Sequence, residues 1–236
     1  MKILEQESLS SIALTNHQVI PVFEKHSLDY CCRGKKTLSE ACAEKNISLI
    51  EVVGEIREIT NISRPVMPFT EMNAEQLIAH IVTHHHFYVR NAMPVILGML
   101  DKLVTKHGET YPYFIRVRQL FTGVKNEMDT HMLKEEQILF PRIKELAALS
   151  QQDRNLHFPP SYVIGPIQVM EAEHDHAGQS LYEIRSLTNN YTMPEDACTT
   201  HRVCVESLKA FEADLHQHVH LENNILFPMA IGFLPQ

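Results

Sequence analysis

The sequence contains no tryptophan, only eight glycines among 236 residues, and no long apolar run. A transmembrane helix needs about 20 consecutive apolar residues, and no stretch approaches that length, so no membrane association is expected. Lysine and arginine form no long run, and the formal net charge is −8 with histidine neutral. Because phosphate backbones are bound by grouped positive charges, this charge distribution argues against a nucleic-acid partner.

Cysteine is also scarce, and its five residues show no regular disulfide framework. Cys31 and Cys32 are adjacent, and a disulfide between neighbouring residues is strained. Residues 1–7 are too acidic, and their apolar part is too short, for a signal peptide. These observations favour free thiols in a reducing compartment, and we expect a cytoplasmic protein.

The segment up to residue 62 contains residue patterns that are typical of the starts and ends of short helices. A hydroxyl residue followed three positions later by glutamate, which forms a capping box at a helix start, occurs twice, at Thr37 and Ser48. The predicted helices lie at about 9–25, 38–45 and 49–60, with a stop at Asn46. We therefore expect a small helical N-terminal domain at 1–62.

Four longer helical stretches follow a proline-containing segment, which we interpret as a linker at 63–73. The first is expected to bend at Pro94, and the second to continue past Pro141. Their predicted starts are near Asn73, Pro112, Pro166 and Thr192. Four helices with short to moderate connections predict a four-helix bundle at 74–236, so the predicted fold class is all-α.

A histidine-rich motif occurs twice, at 131–141 and 218–228, as His-x-x-x-Glu followed by Ile-Leu-Phe-Pro in the same register. Histidine and glutamate four residues apart share one face of a helix, so each pair offers a nitrogen and a carboxylate oxygen to the same metal. A single such pair is usually a surface contact worth a few tenths of a kcal/mol. Two copies followed by apolar residues indicate buried segments, where a bound cation compensates the carboxylate. The prolines should kink or end each helix.

The repeat predicts one more histidine in each half. His86 lies 45 residues before His131, and His174 lies 44 residues before His218. In the run 84–86, neighbouring side chains point about 100° apart on a helix, and His86 is the one that completes the repeat. The predicted metal ligands are His86, His131, Glu135, His174, His218 and Glu222. This set suits two metal ions bridged by the glutamates, and is compatible with iron, manganese or zinc.

Two more acidic residues lie near the predicted ligands. Glu127 is one turn before His131, and is a candidate to hydrogen-bond a ligand imidazole or to line an access path. Glu173 directly precedes His174, and we weigh a role at the site equally against an ordinary surface position.

Several strings of residues resemble the RIC proteins (repair of iron centres), the YtfE and ScdA group. The N-terminal string is Asp29-Tyr30-Cys31-Cys32, followed by Gly34 and Lys35. The C-terminal strings are 131–141, 166–175 and 218–228. The resemblance covers almost the whole chain, and it implies a hemerythrin-like four-helix bundle with a short N-terminal domain.

The resemblance implies that the six ligands hold two iron ions in an oxo- and carboxylate-bridged di-iron centre. It further implies repair of iron–sulfur clusters damaged by nitric oxide or peroxide, with damaged iron–sulfur proteins as partners. Two alternatives use the same site: an enzyme that reduces nitric oxide to nitrous oxide, and a sensor that binds oxygen or nitric oxide. Whether the protein is an enzyme is therefore left open, as is a homodimer formed through the N-terminal unit.

The pair Cys31 and Cys32 has two interpretations. One is a structural pair of small, partly buried residues at a turn. The other is a thiol pair that contacts a damaged cluster, accepts iron or becomes reactive by oxidation. The nearby cations Arg33, Lys35 and Lys36 are expected to lower a thiol pKa by stabilising the thiolate.

Overall fold

The computed structural model describes residues 4–62, 69–150 and 158–234. Within these ranges every extended regular element is a helix, and the one β contact is an isolated bridge between Ser8 and Thr37. None of these helices combines the length and apolar character needed to cross a bilayer. The predicted all-α class is confirmed. The predicted linker at 63–73 lies largely outside the described residues, and the domain boundaries stay predictions.

The N-terminal unit contains four short α-helices: α1 (Leu9–Thr15), α2 (Ile20–Lys25), α3 (Leu38–Lys45) and α4 (Leu49–Ile62). The prediction of one helix over 9–25 is wrong, because Asn16 is extended (φ −150°) and a 3-10 turn follows it. The capping box is confirmed, since Thr37 and Glu40 each accept the backbone N–H of the other. Asn46 ends α3 in the left-handed conformation (φ 54°), as predicted.

The bundle consists of four long rods, three of which are interrupted by a π-helical turn. The rods are α5 (Ala74–His80) with α6 (Phe87–His107), α7 (Tyr113–Lys134) with α8 (Phe140–Ser150), α9 (Ser161–Leu187), and α10 (Thr199–Leu221) with α11 (Phe227–Gly232). The π turns are Ile81–His86, Glu135–Leu139 and Glu222–Leu226. Helix α6 packs against α7 and α10, and α7 packs against α9.

The third rod begins at Ser161, so the predicted start at Pro166 is wrong. Proline has no backbone N–H, and Pro166 therefore leaves the carbonyl of Tyr162 without its usual helical donor. The guanidinium of Arg142 donates to that carbonyl at 2.8 Å. A side chain from α8 thus replaces the missing hydrogen bond, which lets α9 continue through the proline.

The fourth rod begins at Thr199, after the predicted start near Thr192. The chain reverses through three consecutive residues in the left-handed region, Asn189, Asn190 and Tyr191. Arg202 then donates to two carbonyls of the following turn. Both motif prolines, Pro141 and Pro228, lie inside α-helices that continue beyond them, so neither proline ends its rod. The second rod continues past Pro141, as predicted.

The bundle interior has two apolar clusters with polar side chains between them. The first includes Leu100, Phe114, Phe121, Leu181 and Phe211. The second includes Leu77, Phe140, Ile143, Ile167 and Phe227. Along the second rod, Met132 belongs to the first cluster and Leu139 to the second, so the residues between them lie at the junction.

The N-terminal unit has its own apolar core, and it contacts one face of the fourth rod. Asn224 donates to the carbonyl of Cys31 at 3.2 Å, and the Nδ1 of His220 lies 3.3 Å from the carbonyl of Tyr30. One turn earlier, His216 donates to Glu24 at 2.8 Å. Because these three residues of the rod are spaced by four, they form one continuous docking face.

Candidate metal centre

The six predicted ligands converge at the junction of the two apolar clusters. Each of the six is at most 1% exposed. The first and third rods contribute one histidine each, while the second and fourth rods contribute a histidine and a glutamate each. Burying two carboxylates and four imidazoles together is costly unless charge is compensated, so their convergence itself needs an explanation.

The ligand atoms divide into two groups, which we call the first and second metal positions. At the first, the Nε2 atoms of His86 and His218 are 3.2 Å apart. At the second, the Nε2 atoms of His131 and His174 are 3.0 Å apart. Glu135 places Oε2 3.3 Å from His86 and Oε1 3.3 Å from His131. Glu222 places Oε1 3.0 Å from His218 and Oε2 3.1 Å from His174, so each carboxylate spans both positions.

The donor atoms fit bound cations. Three of the imidazoles donate through Nδ1 to an outer acceptor, so in their neutral form Nε2 is an unprotonated lone pair directed at the centre. Two lone pairs 3.0 Å apart repel each other unless a cation lies between them. Both oxygens of Glu135 and Oε2 of Glu222 are buried, and none of the residues that the structure describes donates a hydrogen bond to them. The described residues therefore offer two adjacent four-ligand metal sites.

Charge coupling is visible in the pKa values of the centre. Burial opposes a charged imidazole, yet the charge of Glu135 outweighs it and raises the pKa of His131 to about 9. Burial likewise opposes ionisation of Glu222, but the imidazoles of His218 and His174 hold its pKa well below the usual value. Without metal the centre retains protons, and these must leave when a cation binds.

Outer residues orient three of the four imidazoles. His86 donates through Nδ1 to Glu136 at 2.6 Å, and His174 donates to Asn223 at 3.0 Å. His131 donates to Glu173 at 2.9 Å, and Lys134 also contacts that carboxylate. Neither Glu136 nor Asn223 was predicted from the sequence, although each directly follows a predicted glutamate ligand in the repeat.

The three π turns coincide with ligands. His86 is the last residue of the first turn, and Glu135 and Glu222 each begin one. The N–H of the residue after each later turn, Phe140 and Phe227, donates to the carbonyl of the glutamate five residues earlier. Such turns insert an extra residue into an α-helix and are frequent at functional sites. They also change the helix phase beyond the glutamate, and Ile138, expected to be buried, is 45% exposed.

Glu127 lies away from the ligands. Its carboxylate accepts a hydrogen bond from His176 at 2.8 Å, and both side chains are exposed. It does line a surface groove between α7 and α9 that Glu173 also borders. The expectation of a contact to a ligand imidazole is therefore not met by Glu127, whereas Glu173 makes that contact.

The thiols of Cys31 and Cys32 lie 3.8 Å apart beside the bundle. Both line a cavity of about 590 Å³ between the N-terminal unit and the bundle, which also reaches His174. Asp29 accepts the backbone N–H groups of Cys31, Cys32 and Arg33 through one oxygen, which fixes this turn. The expected low thiol pKa is wrong for Cys31, since its hydrogen bond with Cys32 and its burial raise that pKa well above the usual value.

Comparison with known proteins identifies the group to which this architecture belongs. Residues 77–230 match the hemerythrin HHE cation binding domain, and all six converging residues lie within that range. YtfE of Yersinia pseudotuberculosis, named an iron-sulfur cluster repair protein, is 34% identical over 95% of this chain and 96% of its own. The chain belongs to the hemerythrin-like iron–sulfur cluster repair family. Its bundle is a cation-binding domain.

Other members of the repair family match over the same span. YtfE of Escherichia coli is 33% identical, and a probable iron-sulfur cluster repair protein of Haemophilus influenzae is 34% identical. Each alignment covers 96% of this chain and 97% of the relative. Residues 5–60, which include both thiols, match a domain of unknown function called ScdA_N. The alignments with these relatives therefore extend over both units of this chain.

Proposed function

We propose that this protein holds two iron ions at the two metal positions and repairs iron–sulfur clusters damaged by nitrosative or oxidative stress by supplying iron. The observation that carries the proposal is the pair of carboxylates that each direct one oxygen to each position. The names of the relatives support cluster repair as the role, with damaged iron–sulfur proteins as clients.

The side chains of the chain have distinct tasks in this proposal. The four imidazoles bind the cargo through Nε2, and Glu135 and Glu222 supply the negative charge that favours the ferric state. The outer acceptors Glu136, Glu173 and Asn223 fix the tautomer of three imidazoles. When a one-electron donor reduces the iron, the attraction to the carboxylates weakens, and release to an iron-depleted cluster becomes easier.

The test is iron transfer to a cluster-dependent dehydratase whose cluster has lost one iron. Protein loaded with iron-57 is incubated anaerobically with the damaged enzyme, and both the recovered activity and the label in the cluster are measured. We expect Glu135→Gln to bind fewer than two irons per chain and to lose at least about 90% of the transfer. The amide keeps an oxygen for only one of the two positions, presents an NH₂ group to the other, and carries no negative charge. Glu127→Gln is the matched control, since it removes an exposed carboxylate away from the ligands, and should behave as wild type.

One outcome of this experiment would contradict repair by transfer. A Glu135→Gln variant that repairs as well as wild type would show that the centre does not supply the iron. Anaerobic nitric oxide added to the reduced protein separates the alternatives. Many turnovers of nitrous oxide would indicate a reductase, whereas stable binding of nitric oxide without turnover would indicate a sensor.

A further inference from the structure

The two metal positions differ in one outer contact. His131 and His174 at the second position and His86 at the first each donate through Nδ1 to an acceptor between 2.6 and 3.0 Å away. The Nδ1 atom of His218 is buried and has no hydrogen-bond partner among the described residues. One of the four ligand imidazoles therefore lacks the contact that fixes the others.

The origin of this difference is a single position in the repeat. The residue before His174 is Glu173, and its carboxylate accepts the Nδ1 proton of His131. The residue before His86 is His85, which occupies the equivalent place in the first half of the repeat. Its ring lies parallel to the ring of His218, with centroids 5.7 Å apart and an interplanar angle of 5°.

His85 cannot serve His218 in the way that Glu173 serves His131. Its own Nδ1 lies 3.0 Å from Asp214, so that nitrogen is engaged by a carboxylate on the opposite side. Its Nε2 and the second oxygen of Asp214 are both buried, and neither has a hydrogen-bond partner in the described part of the chain. The ring of His85 therefore covers the ring of His218 but offers no hydrogen-bond acceptor to the Nδ1 of His218.

We propose that the two metal positions are inequivalent, and that His85 is the positioning residue that makes the first position, held by His86 and His218, the one from which iron leaves first. The inference rests on the proposed function, since it assigns the released iron to one of its two positions. A hydrogen-bond acceptor at Nδ1 orients a ligand imidazole and raises the basicity of its Nε2. Removing such an acceptor typically weakens metal affinity about 10- to 100-fold.

The experiment is the time course of iron release from the reduced, iron-loaded full-length protein to excess ferrozine. For wild type we expect two phases of iron release. Each phase should release about one iron per chain, and the two rates should differ about tenfold or more. His85→Gln should slow the fast phase about tenfold, because its amide oxygen gives His218 an acceptor while its NH₂ group still donates to Asp214. His85→Phe keeps a stacked ring without an acceptor, and should retain the fast phase.

Glu173→Ala supplies the reciprocal test, because it removes the acceptor of the His131 Nδ1 proton, and His131 then lacks an outer acceptor as His218 does. We expect it to accelerate the slow phase and to leave the fast phase unchanged. Mössbauer spectra of the loaded ferric proteins provide a readout that does not depend on activity. Wild type should show two distinct iron environments, and His85→Gln should bring the first closer to the second.

The outcomes separate this inference from the proposed function. If the purified protein binds no iron, the proposed function fails. If two irons are bound and leave in a single phase, the inequivalence is overturned while the di-iron proposal stands. If His85→Gln binds two irons and releases them with the wild-type time course, His85 has no positioning role.

Discussion

At the scale of single residues, the environment of a thiol decides its chemistry more than the charges next to it in sequence. Arg33 is adjacent to the thiol pair, but the cysteines contact each other and Asp29. Cys31 is only 6% exposed, so its thiolate would be poorly solvated. These contacts favour the protonated thiol at Cys31.

The raised pKa of Cys31 predicts the pH dependence of its alkylation. Its hydrogen bond with Cys32 and its burial raise that pKa well above the usual value of 9.0. Since only the thiolate reacts, the rate at Cys31 should still increase tenfold per pH unit as pH rises through 9. The measurement is the rate of iodoacetamide modification of the Cys31 peptide by mass spectrometry. A rate that levels off near pH 8 would contradict this assignment.

Most of the candidate site was predictable at the residue scale because the repeat encodes it. The spacing of His131 and Glu135 fixes a shared helix face, and the second copy supplies the counterpart. The orienting residue Glu136 could have been found from the same repeat, because it and Asn223 occupy equivalent positions after the glutamate. Glu127 could not be assigned correctly, because its distance of one turn from His131 does not reveal that α9 presents His176 to it.

At the scale of helices, α9 depends on a hydrogen bond from outside itself. Arg142 donates to the Tyr162 carbonyl that Pro166 leaves without a helical donor, and its guanidinium also lies 4.7 Å from the centroid of the Tyr162 ring. We expect Arg142→Met to lower the free energy of unfolding by about 1–3 kcal/mol, because the carbonyl loses its partner. Chemical denaturation measures this change.

A double-mutant cycle separates the carbonyl contact from other roles of Arg142. In Pro166→Ala the restored N–H can serve the Tyr162 carbonyl, so Arg142→Met should cost less in that background than in wild type. An equal cost in both backgrounds would show that Arg142 acts through its contact with the Tyr162 ring or through another contact.

The π turns are the feature of the helices that the sequence does not reveal. Periodicity of apolar residues reports an average of 3.6 residues per turn, and one inserted residue at Glu135 or Glu222 changes it too little to be recognised. For the same reason, the sequence does not show that Pro141 and Pro228 each follow a π turn, in which the hydrogen-bond pattern has already changed before the proline.

At the scale of the whole molecule, the metal centre lies where all four rods meet, so bound metal should stabilise the fold. Without cations, four imidazoles and two carboxylates face one another in the interior, and only retained protons compensate the charge of the carboxylates. A ligand present at 100 times its dissociation constant stabilises the native state by about 2.7 kcal/mol. For a chain of this size, we expect removal of metal to lower the melting temperature by about 5–10 °C.

Calorimetry of the metal-free and reloaded protein measures this effect. His176→Ala is the matched control, because this exposed histidine lies outside the centre, and its metal-dependent shift should equal that of wild type. A melting temperature that does not respond to metal would show that the six side chains are compatible with one another without a cation.

The docking of the N-terminal unit on the fourth rod could not be predicted from the sequence. Asn224 contacts the carbonyl of Cys31, which is 193 residues earlier in the chain. No local pattern connects these two segments. The histidines of the docking face, His216 and His220, are each two residues from the ligand His218, so the helix turns them about 200° away from it. Only the packing shows that the N-terminal unit covers that face.

The fourth rod therefore leaves little tolerance for changes in chain length. Between His216 and Asn224, residues for the metal centre and residues for the N-terminal unit occupy different faces of the same helix. A one-residue deletion there would rotate all that follows by about 100°. Glu222 would move away from the metal positions and Asn224 from the Cys31 carbonyl in the same event, so lineages of this protein should accept neither insertions nor deletions in this stretch.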